Sequence, residues 1–349
     1  MQKTLKTALL LVVLFAVGLT PVGHLQAAEG KKTKTVTHKH QVKPAPATKN
    51  AVAAAKPGKA VRAAHKKQAS LVSASRAKTW QESGVLAVQS GSALVVDQGG
   101  GDALYQKNAS VVTPIASITK LMTAMVVLDS APNLQAPITI SDDDIDYLRG
   151  SRSRLSVGSV MARESALLLA LMSSENRAAS ALARHYPGGV PALLTAMNVK
   201  AQALGMRDTR FEDPTGLNSN NVSTANDLVK MVTAAYHYPL IREFTTTSEA
   251  TVDVGKRELV YHNTNPLVKN ADWEVGLSKT GYINEAGKCL VMQARVADKP
   301  LVIVLLDSVG KLTRVGDANR IKRWLENAQA SHKLPTHAAL AQDGVRPPG

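Results

Sequence analysis

The chain has 349 residues, enough for one large domain or two small ones, and a formal charge of +15. Residues 29–78 hold thirteen Lys and Arg against Glu29 alone, the first 28 residues add +2, and everything after Lys78 is left with +1. The basicity therefore belongs to a tail and not to the folded part, and the single cysteine, Cys289, excludes an intramolecular disulfide. At the start, Lys3 and Lys6 precede an apolar run from Ala8 to Leu19 and the small-residue end Gln26-Ala27-Ala28. That is the pattern of a secretory signal peptide over residues 1–28, and its apolar run falls short of the roughly 20 residues needed to span a bilayer. Residues 29–79 are rich in Lys, Ala, Thr and Pro with few large apolar side chains, which predicts a disordered segment. Such a segment serves as a solvated tether, or as a weak electrostatic contact with anionic wall polymer or a membrane surface. An exported chain has no nucleic acid to meet.

The ordered part is expected over 80–331, followed by a loose Pro- and Ala-rich tail at 332–349. Ser90–Gln98 and Ala103–Gln106 around Gly99-Gly-Gly101 read as a hairpin. A buried helix starts near Ser117, and Asp142-Asp-Asp144 after Ser141 looks like a capped helix start. Helices follow over Ala162–Met172, Ala178–Tyr186, Pro191–Leu204 and Asn226–Tyr236, the last capped by Thr224, with a loop at Asp213–Asn221. Beyond Ser248 the pattern turns to strands at Ala250–Val254, Leu259–His262, Trp273–Thr280, Leu290–Val296 and Leu301–Leu306. A closing amphipathic helix covers Val315–Ala328. Strand signals at both ends with helices between predict an α+β domain, its antiparallel sheet built from both chain ends and packed against an inserted helical lobe. Cys289, inside an apolar strand, reads as core.

Three constellations carry chemistry. Ser117 and Lys120 stand three apart at the start of an apolar helix, so both side chains lie on one face, near enough to share a proton. The helix start also offers free N–H groups and a positive dipole end to an oxyanion. A second Ser-x-x-Lys, Ser308 to Lys311, contains a Gly after a strand and shows how the spacing arises without function. Ser174 and Asn176 lie at a break between two helices and can present a hydroxyl and an amide to a cleft; Ser219-Asn-Asn221 has the same form in a turn. Lys279-Thr280-Gly281 at a strand edge, with Tyr282 beyond, suits an incoming carboxylate, the glycine admitting substrate close to the backbone.

Ser-x-x-Lys, Ser-x-Asn and Lys-Thr-Gly in that order on helix, helix break and strand are the motif set of penicillin-binding proteins and serine β-lactamases. From Ser90 to Asn327 the chain resembles the low-molecular-mass penicillin-binding proteins, and among them the D-alanyl-D-alanine endopeptidases. The resemblance rests on residues 114–129, 173–179, 213–217, 279–282 and 289–292. It implies the serine β-lactamase/D,D-peptidase fold and a periplasmic hydrolase of peptidoglycan peptide stems, acylated by β-lactams. By that resemblance Ser117 is the nucleophile, Lys120 its base and Ser174 the relay to the leaving amine. Asn176, Lys279, Thr280 and Gly281 bind substrate, and the backbone N–H groups of Ser117 and Tyr282 form the oxyanion hole. A positive charge on Lys279 is expected to help burial lower the pKa of Lys120. No metal or cofactor is called for, and no His-Glu-x-x-His occurs. A D,D-carboxypeptidase shares every motif. The C-terminal sequence after Ala328, too short for a second β domain, leans toward the endopeptidase. A β-lactamase would need a glutamate three residues before Leu217-Asn218, and Glu212 stands five before. A non-enzymatic penicillin-sensing or wall-binding module is the reading from another class, and an intact motif set argues against it.

Overall fold

The structure is a computed structural model and describes residues 86–255 and 257–331. The expected signal peptide, the basic segment 29–79 and the tail 332–349 lie outside the described residues. β1 (Ser92–Asp97) and β2 (Ala103–Lys107) form the expected hairpin, with Gly101 supplying the positive φ of its turn. β3 (Thr113–Pro114) leads into a single 3₁₀ turn, Ala116–Ile118, and only then into α1 (Thr119–Asp129), which is buried on every face from Thr119 to Val127. Ser117 thus precedes the helix instead of opening it. Ala116 has φ 47°, which no right-handed helix holds, and Ile118 N–H bonds back to Ile115 O over three residues.

β4 (Pro137–Thr139) and β5 (Val160–Ala162) pair as a small ribbon absent from the sequence reading. Between them Asp142–Asp144 forms one 3₁₀ turn, boxed by Ser141 and Asp144, and goes no further into a helix. α2 (Arg163–Met172) and α3 (Asn176–Arg184) are divided where expected, because Ser174 takes φ 62°. α4 (Gly189–Ala203) follows, then β6 (Val222–Ser223) beside β3, then α5 (Ala225–Tyr236), whose first turn is capped by Asp227 N–H donating to Thr224 Oγ1. α6 (Pro239–Thr246) was not expected; its Thr-rich end lowers helix propensity, and packing against the sheet compensates.

β7 (Glu249–Val254) and β8 (Arg257–His262) are strands as expected, but they pair only with each other and lay Val252, Val254 and Tyr261 on the helical lobe. The sheet proper is completed by β9 (Glu274–Ile283), β10 (Gly287–Val296) and β11 (Lys299–Ser308), in the order β2-β1-β11-β10-β9 and antiparallel throughout. Two strands from one end of the sequence and three from the other make one sheet, as the pattern predicts. Side-chain alternation gives it two apolar faces. Leu94, Val291, Val302, Val304 and Leu306 meet the helical lobe, while Val95, Met292, Ile303 and Leu305 meet α7 (Thr313–Ala330). β9 is the edge strand, and the turn carrying Ser117 packs against it. No helix among the described residues is long and apolar enough to cross a membrane.

Candidate active site

The 3₁₀ turn decides how Ser117 meets Lys120. In such a turn residues three apart eclipse, and Lys120 Nζ lies 3.0 Å from Ser117 Oγ. Lys120 is fully buried, and its other two bonds go to Asn176 Oδ1 and Thr215 O, both at 2.7 Å. An amide oxygen and a carbonyl can only accept, whereas a serine hydroxyl can also donate. A neutral amine fits this arrangement: two N–H bonds go to the acceptors and its lone pair faces the Ser117 hydroxyl. Burial pushes the Lys120 pKa down to about 8, against the opposing charges of Asp213, Glu175 and Asp146.

Lys279 is equally buried, donating to Ser174 Oγ at 2.8 Å and to Thr280 O at 3.0 Å. Burial, then Lys120, then Arg314 hold its pKa well below the ordinary lysine range. The repulsion between Lys120 and Lys279 acts on both amines; Asp213, Glu175 and Asp146 offset it at Lys120, while at Lys279 it adds to the push of burial and Arg314. The result is a buried cation site without an anion, completed by Arg314, which donates to Gly281 O and Cys289 O.

The motif residues of all three segments come together. Ser174 and Asn176 reach Lys279 and Lys120 respectively, and Asn176 Nδ2 donates to Ser151 Oγ at 3.0 Å. Thr280 donates its hydroxyl to Thr264 Oγ1 at 2.6 Å. Lys279, Thr280 and Gly281 do not end a strand as expected. β9 continues through Ile283, because β10 keeps pairing with it up to Gly287↔Ile283. Tyr282 is half exposed, its ring under Lys288 Nζ at 3.8 Å. A Cβ on Gly281 would stand 2.9 Å from Ile115 O and 3.0 Å from Ser117 N, so glycine is what brings β9 against the serine turn.

The rival copies are structural. Ser308 is buried and 2.7 Å from Ser90 Oγ, while Lys311 is exposed. Asn221 is buried and braces the 213–217 loop, accepting from Glu212 N and Asp213 N and donating to Thr119 Oγ1. Glu212 pairs with Arg210 and bonds Asn218 and Asn220. Cys289 is core as expected, its thiol pushed up to about 11 by burial.

Sequence reasoning treated Asp213-Pro-Thr-Gly-Leu217 as a loop and missed what it does to the site. The Asp213 carboxylate gathers the N–H groups of Thr215, Gly216 and Leu217, which turns the Thr215 carbonyl onto Lys120. Gly216 has φ 81°, and a Cβ there would lie 1.9 Å from Ala116 O and 2.8 Å from Ser117 N. Gly216→Ala should therefore lower the melting temperature and slow acylation by a β-lactam at least about tenfold, since the left-handed backbone alone costs about 1–2 kcal/mol. A variant with wild-type melting and wild-type acylation would show that the loop does not set the serine turn. Arg314 left no local signal either; it opens a helix remote in sequence from Gly281.

A model of the peptidase S11 family, D-alanyl-D-alanine carboxypeptidase, matches residues 76–310. The chain is 51% identical over 244 residues to a D-alanyl-D-alanine endopeptidase of Pseudomonas aeruginosa, covering 69% of this chain and 79% of that protein. To a D-alanyl-D-alanine endopeptidase of Escherichia coli K12 it is 46% identical over 254 residues, covering 72% and 81%. Among solved structures it is similar to the Streptomyces K15 DD-transpeptidase, with TM-score 0.63, 30% identity, and coverage of 68% of this chain and 97% of that one. The fold is that of the penicillin-binding serine peptidases, and the chain belongs to the S11 peptidase family.

Proposed function

We propose that this protein is an exported serine D,D-peptidase of peptidoglycan that works through an acyl-enzyme and opens peptide cross-links. The observation that carries the reading is the buried Lys120 amine, bonded to Ser117 Oγ and otherwise only to acceptors. Ser117 Oγ attacks the carbonyl carbon of a D-alanyl peptide bond while its proton passes to Lys120 Nζ. The oxyanion is held by the backbone N–H groups of Ser117 and Tyr282. Collapse breaks the C–N bond, and the Ser174 hydroxyl, bonded to Lys279, hands its proton to the departing amine. The proton held by Lys120 returns to Ser174, leaving Lys120 neutral. Asn176 fixes the Lys120 amine and offers its amide to the substrate. The carboxylate beside the scissile bond enters the cation site of Lys279, with Thr280 and Arg314, and returns Lys279 to its charged form. Water then attacks the ester, Lys120 takes its proton and passes it to Ser117 Oγ as the ester C–O bond breaks. β-Lactams acylate the same serine.

The endopeptidase preference is supported by the two relatives above, each named a D-alanyl-D-alanine endopeptidase. Cross-linked muropeptide dimers and uncross-linked pentapeptide monomers, offered together at equal concentration, separate the activities. The expected outcome, read by mass spectrometry, is dimer loss ahead of free D-alanine release. Faster release of D-alanine would make the protein a carboxypeptidase.

An exported enzyme of this substrate works in the periplasm, and residues 1–28 have the pattern of the export signal. The basic segment 29–78 would add a weak, salt-sensitive attraction to anionic wall or membrane surface. Deleting it should leave turnover of small soluble muropeptides unchanged and weaken sedimentation with intact wall at low salt. Equal wall binding at low salt, with and without the segment, would reduce it to a tether.

A further inference from the structure

A second concavity lies where β9 begins and β10 ends, a cavity of about 390 Å³ at the end of α5. Gly276 in its wall is three residues before Lys279 on β9, roughly 10 Å along the strand. Its most unusual feature is Gln293. This side chain is nine-tenths buried on a strand otherwise apolar toward the helices, and its amide makes no hydrogen bond to any described residue. The amide is housed by a specific backbone feature. A Cβ at Gly276 would stand 2.1 Å from Gln293 Oε1 and 2.9 Å from Tyr236 Cε2, so glycine leaves the amide end its present place against the strand. The β9–β10 register slips at this point, between Gln293 and Ala294. Val275, Pro300 and the Tyr236 ring supply apolar wall. At the rim Glu274 and Arg295 face each other at 3.5 Å, both largely exposed, so the lining carries no net charge.

An amide that bonds no group among the described residues and faces the cavity suits a ligand with a donor or acceptor beside an apolar group. Zero net lining charge asks for a neutral one. An acetamido group suits this: its carbonyl accepts from Gln293 Nε2 while its methyl lies on Val275 and Tyr236. Ring hydroxyls then reach Glu274 and Arg295, and the volume suits one or two sugar rings. We propose that this cavity is a second binding site, which takes an N-acetylated amino sugar of the glycan strand whose peptide stems are cleaved. It rests on the reading of peptidoglycan as substrate and adds a place where the strand is held away from the scissile bond.

The test is calorimetric titration of the full-length protein with chitotetraose, a glycan without peptide. Binding in the millimolar range or tighter is expected, weakened about tenfold in Gln293→Leu, the loss of one hydrogen bond. Glu274→Ala, at the exposed rim, gives a second variant with a smaller loss should Gln293→Leu fail to fold. Penicillin acylation should be unchanged in both. Muropeptide dimers carrying their sugars should show a lower KM than dimers stripped of them, with equal kcat, and the gap should close in the variants. No chitotetraose binding at ten millimolar, binding unaffected by the variants, or displacement by sugar-free stem peptide would overturn the proposal. Penicillin acylation of the wild type tests the D,D-peptidase reading separately, so either can fail alone.

Discussion

Ser117→Ala should abolish covalent labelling by a fluorescent penicillin and lower muropeptide hydrolysis at least about 10⁴-fold, because Ser117 Oγ is the hydroxyl bonded to Lys120 among the described residues. The fold should survive. Ser117 is half-buried, and the variant gives up one hydroxyl whose partner, Lys120 Nζ, keeps Asn176 Oδ1 and Thr215 O. Circular dichroism and melting separate loss of chemistry from loss of structure. The competing serine is Ser308, the last residue of β11, buried with its hydroxyl on Ser90 Oγ at 2.7 Å. Label retained in Ser117→Ala, or mapped by mass spectrometry to a Ser308 peptide, would end the assignment of the nucleophile.

Lys120→Ala should slow acylation about 10²–10⁴-fold, the range of a lost general base. Alanine keeps the helix start, and Lys120→Met fills the vacated volume if the small residue lowers stability. The same assignment fixes a pH dependence. Burial holds Lys120 near a pKa of about 8, so its neutral fraction, and with it the acylation rate, falls about tenfold per pH unit below that and levels off above. The stability linkage has the matching sign. The folded-state pKa lies below the ordinary 10.5, so Lys120 opposes folding at pH below about 8, and this opposition is relieved as pH rises from 8 toward 10.5. A stopped-flow pH profile of β-lactam acylation checks the first, and urea melts across the same pH range check the second. Acylation by Lys120→Ala within a few-fold of wild type, or a flat profile between pH 6 and 8, would remove Lys120 from the role of base.

Much of this protein is written locally. The β1–β2 turn needs Gly101, α5 needs the Thr224 cap, and α1 is apolar on every face, so each element follows from neighbouring residues. The three short motifs are local too, and Ser117, Lys120, Ser174, Asn176 and Lys279 were legible from their order and context. The unforeseen elements were those whose stability comes from elsewhere. α6 is held by packing on β9, and the strand through Lys279-Thr-Gly281 is prolonged by β10.

The tertiary structure alone decided the chemistry of the two lysines. Nothing near Lys120 in sequence says that the Thr215 carbonyl and the Asn176 amide oxygen will take two of its bonds and leave the third for Ser117. Nor does the sequence say that Asp213, Glu175 and Asp146 will gather near Lys120 while the charges bearing on Lys279 are those of Lys120 and Arg314. Proton affinity depends on desolvation and on charges within a few ångströms, and those neighbours come from β9, α7, the break before α3, the 213–217 loop and the segment that holds Asp146. The sequence determined which residues could react. The distances between segments far apart in the chain determined which groups each lysine bonds and which charges surround it.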